Sequence, residues 1–204
     1  MRTQMMRENL QYQKVKTEEE SDSVEVIHES EAVDDQGFVK ATMPKLEIHR
    51  SEDDIVAFLR DLCDNYQPLE DKKLKLSFGS PLDSILMAFD KEQLRKAVEI
   101  LLANSVKFGP STCKIQVTVL KPSTERVALL FADNGIGIPD EHKPHMFEPF
   151  FGDENENLGL DKVKQIVDAH HGTIKAADNP GGGTVFTISL PVEDPEVEEA
   201  VIIE

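Results

Sequence analysis

One short stretch combines an acidic side chain with two glycines in a way that could form part of a binding pocket. In FADNGIGIPDE, an apolar run ends at Asp133, and Gly135 and Gly137 follow it. A carboxylate at the end of a buried strand can accept hydrogen bonds from an amino group, such as the exocyclic amine of adenine. The two glycines permit positive φ and let a flat ring approach the backbone without meeting a β-carbon. The alternative is a tight loop that binds nothing.

A second pair of polar side chains lies upstream, in LLANSVKF. Asn104 and Lys107 are three residues apart, so they share one face of a helix. This arrangement places an amide oxygen suited to a metal ion near an ammonium group suited to phosphate. A structural role is also open for each residue: Asn104 as a cap or a buried amide, and Lys107 as a solvated lysine at the helix end.

These residues need helices and strands to position them, and the hydrophobic spacing predicts both. Apolar residues at helical spacing predict helices over residues 51–65, 91–107 and 158–170. Alternating apolar residues and turn signals predict strands over residues 45–50, 74–78, 85–89, 114–120, 126–132, 173–177 and 184–190. Ser51 is the expected N-cap of the first helix.

Short turns between neighbouring strands indicate the fold class. The turn at 79–81 is expected to pair 74–78 with 85–89, and the glycine-rich turn at 179–183 joins the last two strands. Such connections favour a mixed, mostly antiparallel sheet with the helices on one face. The expectation is therefore an α+β fold, a two-layer α/β sandwich.

Most of the charge excess lies in two segments. The 204 residues carry 39 Asp and Glu against 22 Lys and Arg, which gives a net charge of −17. Segment 17–36 contains nine acidic residues and segment 192–204 contains six, and neither contains Lys or Arg. Such runs are typical of solvated linkers and tails. The acidic balance argues against nucleic acid or an anionic membrane surface as a partner.

The chain divides into three expected regions. Residues 1–43 combine a short helical remnant with an acidic linker, residues 44–191 form the folded domain, and residues 192–204 form a tail. Cys63 and Cys113 fit reduced thiols in a cytoplasmic protein. No apolar run is long enough to cross a bilayer, so we expect no direct membrane contact from this chain and a cytoplasmic location, either by itself or as the cytoplasmic part of a membrane-anchored protein.

Five motifs in a fixed order resemble the ATP-binding catalytic domain of a sensor histidine kinase, within the gyrase, Hsp90, histidine kinase and MutL superfamily. LLANSVKF resembles the asparagine box, DNGIGIP the first glycine box and MFEPFF the phenylalanine box. LGLDKVKQIVDAHHGTI resembles the second glycine box with its helix, and GGGTVFTISLP resembles the last strand. One such motif would be weak evidence, whereas five in order are strong. The resemblance covers residues 44–191 and implies the Bergerat ATP-binding fold.

The resemblance implies a role for each matching residue. Asp133 would bind the adenine amine, Asn104 would hold Mg²⁺, and Lys107 would contact the phosphates of ATP. The other residues implied in the nucleotide site are Phe108, Gly135, Gly137, Ile138, Phe147, Phe150, Gly159, Leu160 and Thr184. Among these, Phe108 would pack on the base, and Gly159 would face the phosphates at a helix N-terminus.

The implied reaction transfers the γ-phosphoryl group of ATP to a histidine imidazole, a step that depends mostly on positioning and charge neutralisation. Asn104 and Lys107 would be its catalytic residues. Phe147 and Phe150 would anchor the lid over the nucleotide, although both also fit plain core packing. The implied partners are a histidine-bearing dimerisation domain and a response regulator receiver domain.

The phosphate side of the implied site departs from the family pattern. Asn155 and Asn157 occupy positions that usually carry glycine, and the lid at 152–154 is short and acidic. Ile100 occupies a position where the family often carries asparagine, so metal binding would depend on Asn104 alone. An alternative is therefore a degenerate, pseudokinase-like module that binds nucleotide weakly or not at all and docks a signalling protein. A serine kinase of the anti-sigma type is a third interpretation.

None of the six histidines has the sequence context of a phosphoryl acceptor, so we expect the isolated chain to be inactive alone. His28 precedes Glu29 as in the family's histidine box, but it lies in the acidic segment without apolar heptads. His170 and His171 end a predicted helix, where a favourable interaction with the helix dipole is expected. His142 and His145 are expected at the surface.

Overall fold

The computed structural model describes residues 46–68, 72–148 and 159–193, all within one compact unit, Lys45–Glu204. Predictions for the N-terminal helix and linker, His28, Phe150, the lid and the end of the tail lie outside these residues. The domain boundaries at 44 and 191 stay predictions. The elements are β1 (Ser51–Asp54), α1 (Ile55–Asn65), β2 (Lys73–Gly79), β3 (Leu86–Phe89), α2 (Lys91–Lys107), β4 (Thr112–Leu120), β5 (Arg126–Asp133), α3 (Leu160–Ala169), β6 (Thr173–Asp178) and β7 (Thr184–Pro191).

The described strands form two sheets. Five strands pair in the order β2-β4-β5-β7-β6, with β2 parallel to β4 and every other pair antiparallel. The two remaining strands, β1 and β3, form a small antiparallel sheet. The expected α+β class with a mixed, mostly antiparallel sheet is confirmed.

The predicted pairing of the second and third strands is wrong. The turn after β2 carries the chain out of the large sheet, and β3 pairs with β1 instead. Met87 and Phe89 of β3 are buried, and the Phe89 ring packs 5.3 Å from the ring of Phe58 in α1. The burial of these apolar side chains beneath α1 outweighs the local turn signal.

The predicted start of the first helix is also wrong. Residues 46–50 have no regular structure, and Ser51 pairs with Phe89 in β1 rather than capping a helix. Asp54 is the actual N-cap, because its Oδ1 accepts hydrogen bonds from Val56 N at 2.9 Å and Ala57 N at 3.3 Å. Both Ser and Asp are good caps, so only the pairing of β1 decides between them.

One hydrophobic core joins the helices to the inner face of the large sheet. Burial alternates along β4, β5 and β7, while the outer face carries exposed or partly exposed residues such as Lys114. The predicted core side of α2 is confirmed, since the buried residues include Leu94, Ala97, Val98, Leu101 and Leu102. This packing fixes α2 directly beside the end of β5, where the chemistry-bearing motifs meet.

Both cysteines are buried free thiols, as expected. Burial raises the pKa of the Cys63 thiol to about 12, so this thiol stays protonated at neutral pH. A protonated, buried thiol is a small apolar core residue and a poor nucleophile.

Within the described residues, no helix combines the length and the apolarity needed to cross a bilayer.

Candidate functional site

Asp133 is the last residue of β5, and its side chain is held from three directions. Its Oδ1 accepts hydrogen bonds from Gly135 N at 2.8 Å and from Thr184 N at 3.1 Å. Its Oδ2 accepts one from Ser105 Oγ of α2 at 3.1 Å. A carboxylate offers about four lone-pair sites, so these three donors leave room for one more. The three hydrogen bonds hold the carboxylate in one orientation, and an amino group could donate to its remaining lone pair.

The turn between β6 and β7 packs against the same residue. Asn179 Nδ2 donates to the backbone oxygen of Asp133 at 2.7 Å. Gly183 has φ +96°, and a β-carbon there would lie 2.6 Å from Asp133 Oδ1, much closer than any real side chain comes. The sequence indicated only a glycine-rich turn, whereas the structure gives Gly183 a specific contact. The run of three glycines at 181–183 was the available signal.

The glycine loop after Asp133 lies on the end of α2. Ile136 N donates to Phe108 O at 3.2 Å, and a β-carbon on Gly135 would lie 3.0 Å from that oxygen. Gly137 has φ +77°, in the region that glycine favours, as expected from the sequence, whereas Gly135 does not have a positive φ. Phe108 and the glycine loop are therefore in direct contact.

A cavity of about 420 Å³ opens between this loop and the turn that joins β6 to β7. Its lining residues are Ile136, Gly137, Ile138, Pro139, Asp178, Asn179, Gly182 and Gly183. Ile138 is partly buried and packs on the core, while Ile136 is 82% exposed. The opening is therefore lined on one side by the glycine loop, with Ile138 as an anchored apolar side chain, and on the other by the turn that joins β6 to β7.

Asn104 and Lys107 lie on α2 as predicted, and both line a different cavity. This second cleft has a volume of about 480 Å³ and lies between α2 and the end of α1. Lys107 is exposed, and its Nζ lies 5.2 Å from the centre of the Phe108 ring. The structure thus places the two residues beside Phe108, but not in the cavity next to Asp133.

The N-terminus of α3 faces α2. Gly159 is the N-cap with φ +63°, no side chain caps the helix by a hydrogen bond, and Leu160 is buried behind it. A β-carbon on Gly159 would lie 3.3 Å from Ile100 Cγ2, so this isoleucine packs against the start of α3. The first N–H groups of a helix have no intrahelical acceptor and favour anions. An apolar contact and an anion-attracting helix start therefore lie side by side.

Residues 140–148 form a turn that ends in the described part of the phenylalanine box, residues 146–148. Lys143 Nζ binds Asp140 Oδ1 at 2.6 Å and Asp178 Oδ1 at 2.8 Å, which ties the turn to the end of β6. Hydrogen bonds to these carboxylates raise the pKa of Lys143. Phe147 is partly buried against the core, next to buried Met146. This packing fits either role considered for Phe147, while Phe150 lies outside the described residues.

His170 lies at the end of α3, as expected, and contacts a carbonyl of its last turn as a neutral ring. The ring is 3% exposed, Nε2 accepts a hydrogen bond from Asp90 N at 2.9 Å, and Nδ1 lies 2.7 Å from Ile166 O. An acceptor at Nε2 requires the neutral imidazole with its proton on Nδ1. Burial lowers the pKa of His170, which keeps it neutral. The predicted surface position of His142 and His145 is confirmed.

The described residues contain no group of three or more His, Cys, Asp or Glu side chains that could hold a metal ion. Mg²⁺ on a nucleotide needs less, because it usually keeps several waters and binds the phosphates with one or two protein oxygens. Asn104 offers one amide oxygen on the face of α2 that also carries Lys107. Ile100, one turn earlier, offers no oxygen, so the residues present fit a metal held chiefly by phosphate and water.

The fold and the ordered motifs define the class, a domain of the Bergerat ATP-binding type. The family model described as histidine kinase-, DNA gyrase B-, and HSP90-like ATPase matches residues 89–194, just over half of the chain. The chain therefore belongs to this ATPase family. Within it, the chain carries the ATP-binding catalytic domain found in sensor histidine kinases.

Individual relatives support the same assignment. The chain is 29% identical over 160 residues to the adaptive-response sensory kinase SasA of Crocosphaera subtropica. The aligned region covers 75% of this chain and 42% of SasA. It is 27% identical to the ATP binding domain of PrrB from Mycobacterium tuberculosis, with a TM-score of 0.57 and coverage of 70% and 97%. The chain thus spans less than half of its curated relative.

The fold is also that of the histidine kinase ThkA. The catalytic domain of ThkA superposes with a TM-score of 0.64 at 20% identity, covering 72% of this chain and 99% of that domain. ThkA has also been solved in complex with the response regulator TrrA, and that kinase chain superposes with a TM-score of 0.59 at 21% identity, covering 70% and 42%.

Proposed function

We propose that this domain binds ATP with Mg²⁺ and serves a histidine kinase, which transfers the γ-phosphoryl group to a histidine on a separate dimerisation domain. The observation that carries the proposal is the environment of the Asp133 carboxylate. Its carboxylate is 6% exposed, oriented by three donors, and bordered by glycines. An adenine amine is a donor and can use the remaining lone pair, whereas the carbonyl of guanine would be repelled.

The phosphate side of the site depends on fewer residues. Lys107 supplies an ammonium charge beside Phe108, and the start of α3 supplies N–H groups that favour an anion. When bound, ATP supplies the phosphoryl group and Mg²⁺ neutralises phosphate charge, with Asn104 as its protein ligand. Lys107 and Asn104 would therefore act by holding the phosphates in place rather than by proton transfer.

The phosphoryl acceptor and the receiver of the signal are proposed as separate domains. His170 cannot serve as the acceptor in this fold, because both ring nitrogens are engaged and the side chain is buried. The solved complex of ThkA with TrrA supports a response regulator receiver domain as a partner of this type of kinase. We place the domain in the cytoplasm, where ATP and such regulators are found.

The test is a calorimetric titration of the full chain with ATP and ADP, with and without Mg²⁺. We expect micromolar binding that responds to Mg²⁺. Asp133→Asn removes the charged acceptor and should weaken ATP binding by at least about tenfold, since hydrogen bonds to charged groups contribute about 1.5–3 kcal/mol.

The matched control is Asp168→Asn, because Asp168 is an exposed carboxylate of α3 that pairs with Lys164 and does not line this cavity. It should change the ATP affinity less than twofold. No heat and no thermal stabilisation at millimolar nucleotide would exclude the kinase function and leave the docking alternative.

A further inference from the structure

The end of α2 is held by a lysine from another element. Lys72 Nζ donates to Val106 O at 2.7 Å, to Lys107 O at 2.8 Å and to Gly109 O at 3.3 Å. Lys72 lies one residue before β2, more than thirty positions away from these oxygens in sequence. Three carbonyl oxygens thus converge on one ammonium group, which offers three donors.

The location of this contact has a clear electrostatic reason. The last carbonyls of a helix lack intrahelical partners and carry a partial negative charge, so a cation there is stabilising. Phe108 is the C-cap of α2, and the chain turns away through Gly109, whose N–H donates to Val106 O at 3.2 Å. Lys72 therefore binds the turn in which α2 ends.

That same turn carries the contacts that build the candidate site. Ser105 Oγ holds Asp133, and Phe108 O accepts the hydrogen bond from Ile136 in the glycine loop. A β-carbon on Gly109 would lie 2.6 Å from Ser105 O, so the turn is closely packed. A displacement of the turn would therefore move groups on both the base side and the phosphate side.

The large sheet fixes the backbone directly after Lys72. Lys73 N donates to Ser111 O at 3.1 Å, and Lys73 is paired with Thr112 at the start of the parallel ladder between β2 and β4. Lys73 and Lys75 are exposed residues on the outer face of the sheet. The sequence KKLKL thus contains three similar lysines, and Lys72 is the one that reaches α2 in the described structure.

We propose that Lys72 is a positioning residue of the nucleotide site, which holds the last turn of α2 so that Lys107 and Phe108 face bound ATP. It acts through the backbone of these residues and does not itself touch the nucleotide. The proposal rests on the proposed function, because it concerns the same site.

The test compares variants of the full chain by calorimetric titration with MgATP. Lys72→Met keeps the aliphatic stem and removes the three donors, and it should weaken ATP binding by about tenfold. Lys73→Met is the matched control and should stay within about twofold of the unmodified chain. Lys72→Arg retains the charge and several donors, and it should recover most of the affinity lost with methionine.

A double-mutant cycle separates positioning from general stability. If Lys72 acts through the turn that carries Lys107, adding Lys72→Met to Lys107→Met should cost less than the tenfold seen alone. Thermal unfolding of each variant identifies any that do not fold. If Lys72→Met does not fold, the ATP affinities of Lys72→Arg and Lys73→Met test the positioning role.

Unchanged ATP affinity in Lys72→Met, an equal loss in Lys73→Met, or fully independent effects in the cycle would each overturn the positioning role while the proposed function stands. Absence of ATP binding by the unmodified chain would refute the proposed function itself, and the positioning role would fall with it.

Discussion

Gly183 shows how a single residue without a side chain can determine the geometry of the site. A β-carbon there would collide with the backbone oxygen of Asp133, and the φ of +96° lies where other residues are strained. The neighbouring glycines differ in instructive ways. Gly182 has φ +90° but open space around it, and Gly181 has open space and no positive φ. The three positions therefore separate backbone strain from steric contact.

Alanine substitution at these three glycines should give graded losses in the free energy of unfolding. Gly181→Ala should be neutral to within about 0.5 kcal/mol. Gly182→Ala should cost about 1 kcal/mol through backbone strain. Gly183→Ala should cost about 3 kcal/mol, because the added methyl group would also collide with the backbone oxygen and the carboxylate of Asp133.

Urea unfolding of the three variants measures these differences directly, and nucleotide titration adds a second comparison. Gly183→Ala alone should also weaken ATP binding, since it alone contacts the carboxylate. Equal effects at positions 182 and 183 would show that backbone strain is the entire cause.

The residues of the site were predictable to the extent that their chemistry is local. Asp133, Gly137 and the pair Asn104 and Lys107 could be proposed as candidates from type and spacing alone. Ser105 and Lys72 could not, because a buried serine and one lysine among three acquire their roles only when distant elements pack. Ile100 was recognised as a departure from the family pattern, but its packing on Gly159 required the structure.

Among the elements, α2 shows when sequence is sufficient. Its observed bounds, Lys91–Lys107, coincide with the prediction because Asp90 caps its start and its apolar face is regular. The strand pairing of β2 and β3 shows the opposite case, since a short turn indicated a hairpin that tertiary burial did not permit. Local signals placed α2 correctly, whereas the partner of β2 and the start of α1 were decided by strand pairing and core packing.

The junction between α3 and α2 contains a titratable group on which stability should depend. His170 accepts a hydrogen bond from Asp90 N, and Arg50 Nη2 donates to Ala169 O at 2.7 Å beside it. Burial lowers the pKa of His170 below its ordinary value of 6.5, and nearby Arg50 and His171 act in the same direction, while Asp90 and the hydrogen bond to Ile166 oppose it.

Because the unfolded chain then binds the proton more tightly, His170 contributes stability that is fully present above about pH 6.5 and is lost as the pH falls below it. We expect the thermal midpoint to fall between about pH 7 and about pH 5. His170→Gln should be less stable at neutral pH but should lose most of this slope. His171→Gln, which alters the exposed neighbour, should retain it. An unchanged slope in His170→Gln would assign the effect to other groups.

At the scale of the whole molecule, charge and packing are separated along the chain. Segments 17–36 and 192–204 hold fifteen of the 39 acidic residues, which leaves 24 acidic residues against 22 basic ones elsewhere. The hydrophobic core of the described structure is built from residues between Leu46 and Val192. Residues 45–191 alone carry 23 acidic and 17 basic residues, so the folded region is itself moderately acidic. Composition alone identified the two more strongly acidic segments.

This separation predicts that residues 45–204 fold without the preceding segment. The thermal midpoint of that fragment should lie within about 2 °C of the full chain, because the core residues and their partners in the described structure are retained.

A shorter fragment, residues 55–204, provides the matched comparison. It lacks β1, the Asp54 cap and the contacts of Arg50 with Ala169 O and of His49 N with Asp90. Loss of a cap and several hydrogen bonds should lower its unfolding free energy by at least about 2 kcal/mol. Calorimetry of the two fragments measures both differences, and an unfolded 45–204 fragment would show that the domain needs residues before position 45.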